Sequence, residues 1–537
     1  MKVHKNGAFL AVVPTSPGDF TFLLEATNRS GKTALERRVK VPRPLETSPI
    51  EPLAIEGDFG FPLKDITLKP GDILKVSFKG SPGGRATFSI EGLAEGLPMV
   101  EEGPRALLDR GEAAFGVDRE EGYPVQGIYS GSYVIGTGGE VGRARITFSL
   151  ANARGEVVRA EAKGRLTVRP ENPPKVGIIN DDKVVARVSP GAGYLLFLSK
   201  GIKVWVTGGY GEDLRLALTP IEEAWVRAEK VDLLPPGTPV PSARVGTVRA
   251  KAFRDKTLIR LYLGERLPFN VEQSLESPQY TLTIYGATSD THWMRYDPRD
   301  GLVEGLSWDQ PGTGIYKLKV RLRKGQLWGY KAYYEGQDLV LEIRKGPHIR
   351  RDAPLRVIKV CLDPGHSPET GAVGPTGLEE KEVNLKIAHL LRKMLLAEGA
   401  IVTMTRMGEE EVPLQERPRI CAEAKADLMV SIHNNALPDG MDPYTNNGYS
   451  VYYYHPQALA LSQSLHKGLG RGLSLPDFGL YYGNLFMARI TEMPAALVEP
   501  AFMILPEQEA LLADPKFQRR IARALLQAIR DFLQKAR

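Results

Sequence analysis

Over roughly the first 350 residues, apolar and polar positions alternate in short runs, as in "DFTFLLEAT", "DILKVSF", "RARITFSL" and "GRLTV", with Gly, Pro, Asn and Asp between them. A period of two broken by turn residues predicts short strands, and many such strands predict all-β sandwiches or small barrels. Only brief stretches such as "EGPRALLDR" read as helical. Proline-rich joints at "VPRPLETSPIEPL", "VRPENPPK", "LLPPGTPVPSA" and "RKGPHIRRDAPLR" mark boundaries. They divide this region into residues 1–44, 45–171, 172–245 and 246–348. The first piece offers two or three strands, which is marginal for an independent fold. It is expected to pack on its neighbour or to be part of a truncated domain.

Near residue 354 the period changes. "RVIKVCL" is followed by apolar positions 383, 387, 390, 391, 394 and 395, one helical face stopped at Gly399. Then come the strand "AIVTMTR", a helix through "ERPRICAEAKA" and the strand "DLMVSIH". "GYSVYYYH", a helix through "ALALSQSLHKGL", "AALVEP" and one long helix from about Glu507 complete the series. Alternating strand and helix at this spacing predicts an α/β domain over 349–537, with a mostly parallel sheet covered by helices on both faces. The fold class is therefore multidomain, with all-β modules first and an α/β domain with a mostly parallel sheet last.

Composition narrows this only modestly. The chain has 537 residues, 42% hydrophobic and 25% charged, ordinary values for globular domains. A net charge of +6 and a pI near 9.0 are mildly basic. No zinc finger, recognition helix or aromatic-interleaved basic patch points to nucleic acid. No apolar run reaches the ~20 residues of a membrane span. The N-terminal "AFLAVV" is shorter than a signal core and reads as a strand, which leaves open a cytoplasmic protein or one given without its leader; a substrate outside the cytoplasm would make a longer reading frame with an export signal the expectation. Two cysteines, Cys361 and Cys421, exclude a disulfide framework and are expected to be buried free thiols.

Chemistry concentrates in the last third. Ligands of open α/β sheets bind beyond the carboxyl ends of the strands. His366 follows "RVIKVCL", His433 closes "DLMVSIH", Glu499 ends "AALVE", and Glu380 stands where a Gly/Pro-rich loop turns into a helix. Two histidines and a glutamate make the ligand set of a catalytic zinc site, and a further carboxylate could take the proton of a zinc-bound water. Glu380 lies among the acids of "EEKE", so spacing alone leaves open which of them ligates.

At these residues "LDPGH", "GLEEKEVNL", "SIHNNA" and "LVEPAF" resemble, in order and spacing, the motifs of zinc-dependent N-acetylmuramoyl-L-alanine amidases of the type 3 class, over about 355–535. The resemblance implies zinc held by His366, Glu380 and His433, with Glu499 as catalytic acid/base. It also implies hydrolysis of the amide between N-acetylmuramic acid and L-alanine in peptidoglycan, outside the cytoplasm. Asn434, beside a ligand, is a candidate to orient the site. Two departures, "SPETG" after the first histidine and "AF" after the catalytic glutamate, are expected to reshape the rim of the groove. The β-regions look like an immunoglobulin-type sandwich ("RITFSLANARGEVVRAEAKGRLTV"), an SH3-like barrel ("KGIKVWVTGGYGEDLRLAL") and a wall-targeting module closing at "LVLEI". They would hold the enzyme on the wall or on cell-wall or division proteins. Rival readings are an inactive wall-binding scaffold and another zinc peptidase acting on the stem peptide. His455 and His466 are expected at the surface, and Tyr452, Tyr453 and Tyr454 in a strand with alternating faces. One helix fits between the second histidine's strand and Glu499, so the groove is expected to be open.

Overall fold

The computed structural model describes residues 2–28, 31–41, 46–103, 125–138, 140–169, 173–274, 276–297, 299–323, 325–437 and 441–536. Most of "EGPRALLDR" lies outside them. At the N-terminus, Gly18–Asn28 and Gly31–Val41 pair only with each other, as a hairpin whose second strand is exposed along nearly its whole length. The strand expected from "AFLAVV" shrinks to Phe9–Leu10, paired with Lys2–Val3.

Three hydrophobic cores follow in the β-rich region. One lies between residues 66 and 168, with Phe78, Phe88 and Phe148 at its centre. A second is built from residues 179–231 with Tyr285 added, and a third lies within 245–343. The first two are not separate at the level of the sheet, because Ile66–Leu68 pairs with Lys203–Tyr210 and one ten-stranded sheet crosses the Pro-rich joint. The third core lies between a five-stranded and a four-stranded sheet.

The C-terminal domain has strands β1 (Lys359–Pro364), β2 (Ile401–Met404), β3 (Leu428–Ile432), β4 (Tyr449–Tyr453), β5 (Asp477–Tyr482) and β6 (Ala495–Glu499). Its helices are α1 (Glu380–Ala397), α2 (Glu416–Glu423), α3 (Pro456–Gly472), α4 (Pro506–Ala513) and α5 (Pro515–Lys535). The sheet runs β2-β1-β3-β6-β4-β5. The first four strands are parallel, β4 is antiparallel to β6, and β5 is parallel to β4. Strand β5 had no counterpart in the sequence reading.

Alternate side chains on each strand face opposite sides. Val360 and Leu362 join a core built with α1, α3 and α5, whereas Cys361 faces α2 and the turn Phe486–Arg489. Three long helices thus cover one face, and one short helix and a turn cover the other. The single long C-terminal helix is corrected to two. Asp514 caps α5 by accepting from the Lys516 N–H, and Pro515 at the first helical position has no N–H to continue α4. The expected free thiols are also corrected: Cys361 and Cys421 form a disulfide that ties β1 to α2. Their separation of 60 residues hid a meeting that only the fold creates.

The module that ends at Arg344 is fastened to this domain. Its Trp328 belongs to the main core of the α/β domain and lies 5.8 Å from Phe532, centroid to centroid. Arg344 donates to the carbonyls of Ala426 and Lys425 and pairs with Asp427 at 2.5 Å. The Tyr330 N–H donates to Thr491 O, and the Gln273 and Gln326 side chains bond Gln457 at the start of α3. These contacts cluster at the strand-start side of β3 and β6, the opposite end of the sheet from the histidines.

Candidate metal centre

Each functional side chain stands at a strand's carboxyl end or a helix start. His366 lies two residues beyond β1, His433 one beyond β3, Glu499 closes β6, and Glu380 opens α1. The structure brings His366, Glu380 and His433 together, with one donor atom from each within 4.8 Å of the others. His366 Nε2 lies 3.0 Å from Glu380 Oε2, and His433 Nδ1 lies 3.0 Å from Glu380 Oε1. A carboxylate can only accept, so each imidazole presents an N–H to it. Those same nitrogens are the ones a cation would take after losing their protons.

Glu380 is 4% exposed. Burial alone would raise its carboxyl, but the hydrogen bonds from His366 and His433 outweigh that and hold it far below the usual carboxylate range. The backbone N–H of Ala372 and of Asn434 and the Asn384 amide also donate to it. Asn434 donates its own side-chain amide to Asn384 at 2.8 Å. Asn434 thus reaches the acid directly through its backbone N–H and indirectly through Asn384. The sequence reading missed Asn384, whose signal was its place one turn after Glu380 on the same helix face.

Close approach dictates two glycines. A Cβ on Gly365 would lie 2.2 Å from the His433 ring, and one on Gly371 would lie 2.5 Å from Glu380 Oε2. Gly371 also has φ +70°, which L side chains rarely adopt.

Glu499 sits in the same rim. Its Oε2 is enclosed and has no hydrogen-bond partner. Burial first, and the neighbouring Glu380 charge second, push its carboxyl well above the ordinary range. Ser450 lies opposite Glu499 in the ladder, with its hydroxyl buried. A half-buried carboxylate with one enclosed, idle oxygen beside a two-histidine, one-carboxylate cluster fits a metal-bound water as that oxygen's partner. This donor set suits zinc.

Other expectations come out differently. His455 is half-buried rather than fully at the surface: it bonds Arg489 O, packs against Tyr330 and Tyr454, and burial pushes it down to about 4. His466 is half-buried and bonds Asp477 at 2.7 Å. Ala501 of "AF" is fully buried in the main core, so that departure does not reach the rim. Ser367 of "SPETG" is tied to the carbonyls of Glu409 and Glu410.

Residues 360–531 match the N-acetylmuramoyl-L-alanine amidase family. The chain is 31% identical over 182 residues to the probable cell wall amidase LytH of Staphylococcus epidermidis, covering 33% of this chain and 60% of that protein. It is 33% identical over 171 residues to the N-acetylmuramoyl-L-alanine amidase LytC of Bacillus subtilis, covering 31% of this chain and 34% of LytC. Among solved structures, AmiC2 of Nostoc punctiforme is 31% identical with a TM-score of 0.31, covering 33% of this chain and 97% of that one. The catalytic domain of CwlV from Paenibacillus polymyxa is 31% identical with a TM-score of 0.32, covering 33% and 99%. The match is thus confined to the C-terminal third of the chain, residues 360–531, where the sequence is similar to N-acetylmuramoyl-L-alanine amidases.

Proposed function

We propose that this chain hydrolyses the amide joining the lactyl group of N-acetylmuramic acid to L-alanine in peptidoglycan. The observation that carries the reading is the meeting of His366, Glu380 and His433 beside Glu499, whose Oε2 is enclosed and without a hydrogen-bond partner. His366, Glu380 and His433 would hold zinc. Bound there, zinc would polarise the scissile carbonyl and bring its water's pKa to about 7.

The chain's own residues supply the proton path. Glu499 Oε2 accepts the proton of the attacking water as the new C–O bond forms. It then returns that proton to the alanine nitrogen as the C–N bond breaks, leaving a free amine and the lactyl carboxylate. A carboxyl held above its usual range is suited to both halves of this exchange. Asn384, the Asn434 backbone and the Ala372 N–H keep Glu380 oriented toward the histidines.

The β-modules are read as an immunoglobulin-like sandwich over 45–171, an SH3-like barrel over 172–245 and a further module over 246–348, preceded by the segment 1–44. They would engage the wall or wall-associated proteins. Action outside the cytoplasm is supported by the Cys361–Cys421 bridge, since disulfides persist in oxidising compartments, and by relatives described as cell wall amidases. Among the described residues no helix is long and apolar enough to cross a membrane.

The test uses purified sacculi. The protein should release intact stem peptides with new N-terminal L-alanine, a chelator should stop this, and zinc should restore it. Release of shorter peptides would indicate a stem-peptide peptidase, and no release by the zinc-loaded protein would indicate a scaffold.

A further inference from the structure

Below the His366 loop lies a buried polar cluster with no part in metal ligation or proton transfer. Asp363 is fully enclosed on the α2 face of the sheet. One of its oxygens accepts from Thr405 at 2.6 Å and Arg417 at 3.0 Å, and the other from Ser431 at 2.6 Å. Arg417 and Arg406 are almost as deeply buried. Arg417 donates to the carbonyls of Pro364 at 3.0 Å, His366 at 2.6 Å and Ser367 at 3.3 Å. Arg406 donates to Pro364 at 2.9 Å, Gly365 at 3.0 Å and Lys381 at 2.7 Å. The carbonyls of four consecutive residues, 364 to 367, are thus each taken by a guanidinium.

That loop needs holding. His366 has φ 64° and Ser367 φ 90°, a region that non-glycine residues rarely occupy unless their surroundings over-determine it. Arg406 also reaches Lys381, next to Glu380, so it ties together the two segments that carry adjacent ligand candidates. Only a planar fork with several fixed donors can serve Asp363 and successive carbonyls at once, and a lysine cannot.

We propose that Arg417, itself oriented by Asp363, is a positioning residue that fixes the His366 backbone so that the imidazole meets the metal at full affinity. This rests on the reading of His366 as a zinc ligand. Partners that orient metal ligands are typically worth about 10–100-fold in affinity.

The experiment measures zinc Kd by competition with a chromogenic chelator, on the full chain stripped of metal. Wild type should bind zinc and His366→Ala should not; failure of either refutes the ligand reading rather than this inference. Arg417→Lys should raise the Kd by about 10–100-fold. Thr405→Val, which removes only one hydrogen bond to Asp363, should raise it in the same direction by less. Leu533→Ala, a core lesion on α5, should lower thermal stability without changing the Kd. A folded Arg417→Lys with wild-type Kd would overturn the proposal. Should that variant not fold, Thr405→Val with an unchanged Kd would overturn it instead.

Discussion

Trp328 lies outside the amidase-family segment, yet it is buried in that segment's core against Phe532. Cutting the chain at Leu355 would expose the apolar surface that the indole covers. A buried Trp covers roughly 150–250 Å2. At about 25 cal/mol per Å2, exposing a matching area costs roughly 4–6 kcal/mol. Domains are stable by about 5–15 kcal/mol in total, so the loss is a large part of the whole. Trp328→Ala in the intact chain should cost about 3–5 kcal/mol by the usual scale for such truncations. Hydrogen exchange of the α5 backbone amides reads this locally and avoids treating a multidomain chain as two-state. At about 1.4 kcal/mol per decade, a loss of ~4 kcal/mol speeds exchange about 10³-fold. Residues 246–537 should exchange at the intact rate, and residues 355–537 at least that much faster. Equal protection in 355–537 and in 246–537 would show that the indole contact stabilises nothing. The boundary that matters for an active fragment would then be the sequence joint near 349. Otherwise, tests of whether the groove is open on soluble muropeptides belong on 246–537.

Glu499→Gln should keep zinc, measured by metal content, and lose turnover by at least ~10²-fold; surviving turnover with metal bound would require a different base. His433→Ala should bind no zinc, whereas Glu379→Ala should bind it normally, because Glu379 pairs with Lys381 instead. Glu499 must be ionised to take a proton, and burial raises its carboxyl. The acid limb of kcat/KM should therefore depend on Glu499, and the residual activity of Glu499→Gln should lack that limb. In metal-free protein, a raised carboxyl stabilises the fold fully below its unfolded pKa, and that contribution is lost as pH rises through its folded value. Urea melts in chelator should therefore show Glu499→Gln gaining on wild type at pH 8 relative to pH 4; no difference between the two pH values would contradict the assigned environment.

Much of the catalytic domain was legible because its chemistry sits where one strand or helix ends. His366, His433 and Glu499 each follow an apolar run that announces a strand, and the face of α1 is written in the 3.6-residue spacing of Val383, Ile387, Leu391 and Leu395. What escaped was whatever depends on partners distant in sequence. Strand β5 begins "DFGLYY" after a proline and lacks clean alternation, and only its pairing with β4 defines it. The disulfide needed the placement of α2 over β1. His455 looked solvated because its neighbours in the chain are polar and aromatic, while Tyr330, which covers it, lies more than a hundred residues earlier. Asp363, Arg406 and Arg417 are charged residues that sequence logic assigns to the surface, and only the fold reveals the carbonyls waiting for them.

The rigid seam at Trp328, Arg344 and Gln457 has a geometric consequence. From Asp427, where the β-module grips, to His433 is six residues of nearly straight strand, about 20 Å at the usual rise per residue. Grip and blade are at opposite ends of one stiff bar, with no hinge between them at that joint. The seam between module and α/β domain therefore stands a fixed distance from the histidines, and the sheet works as the spacer between them.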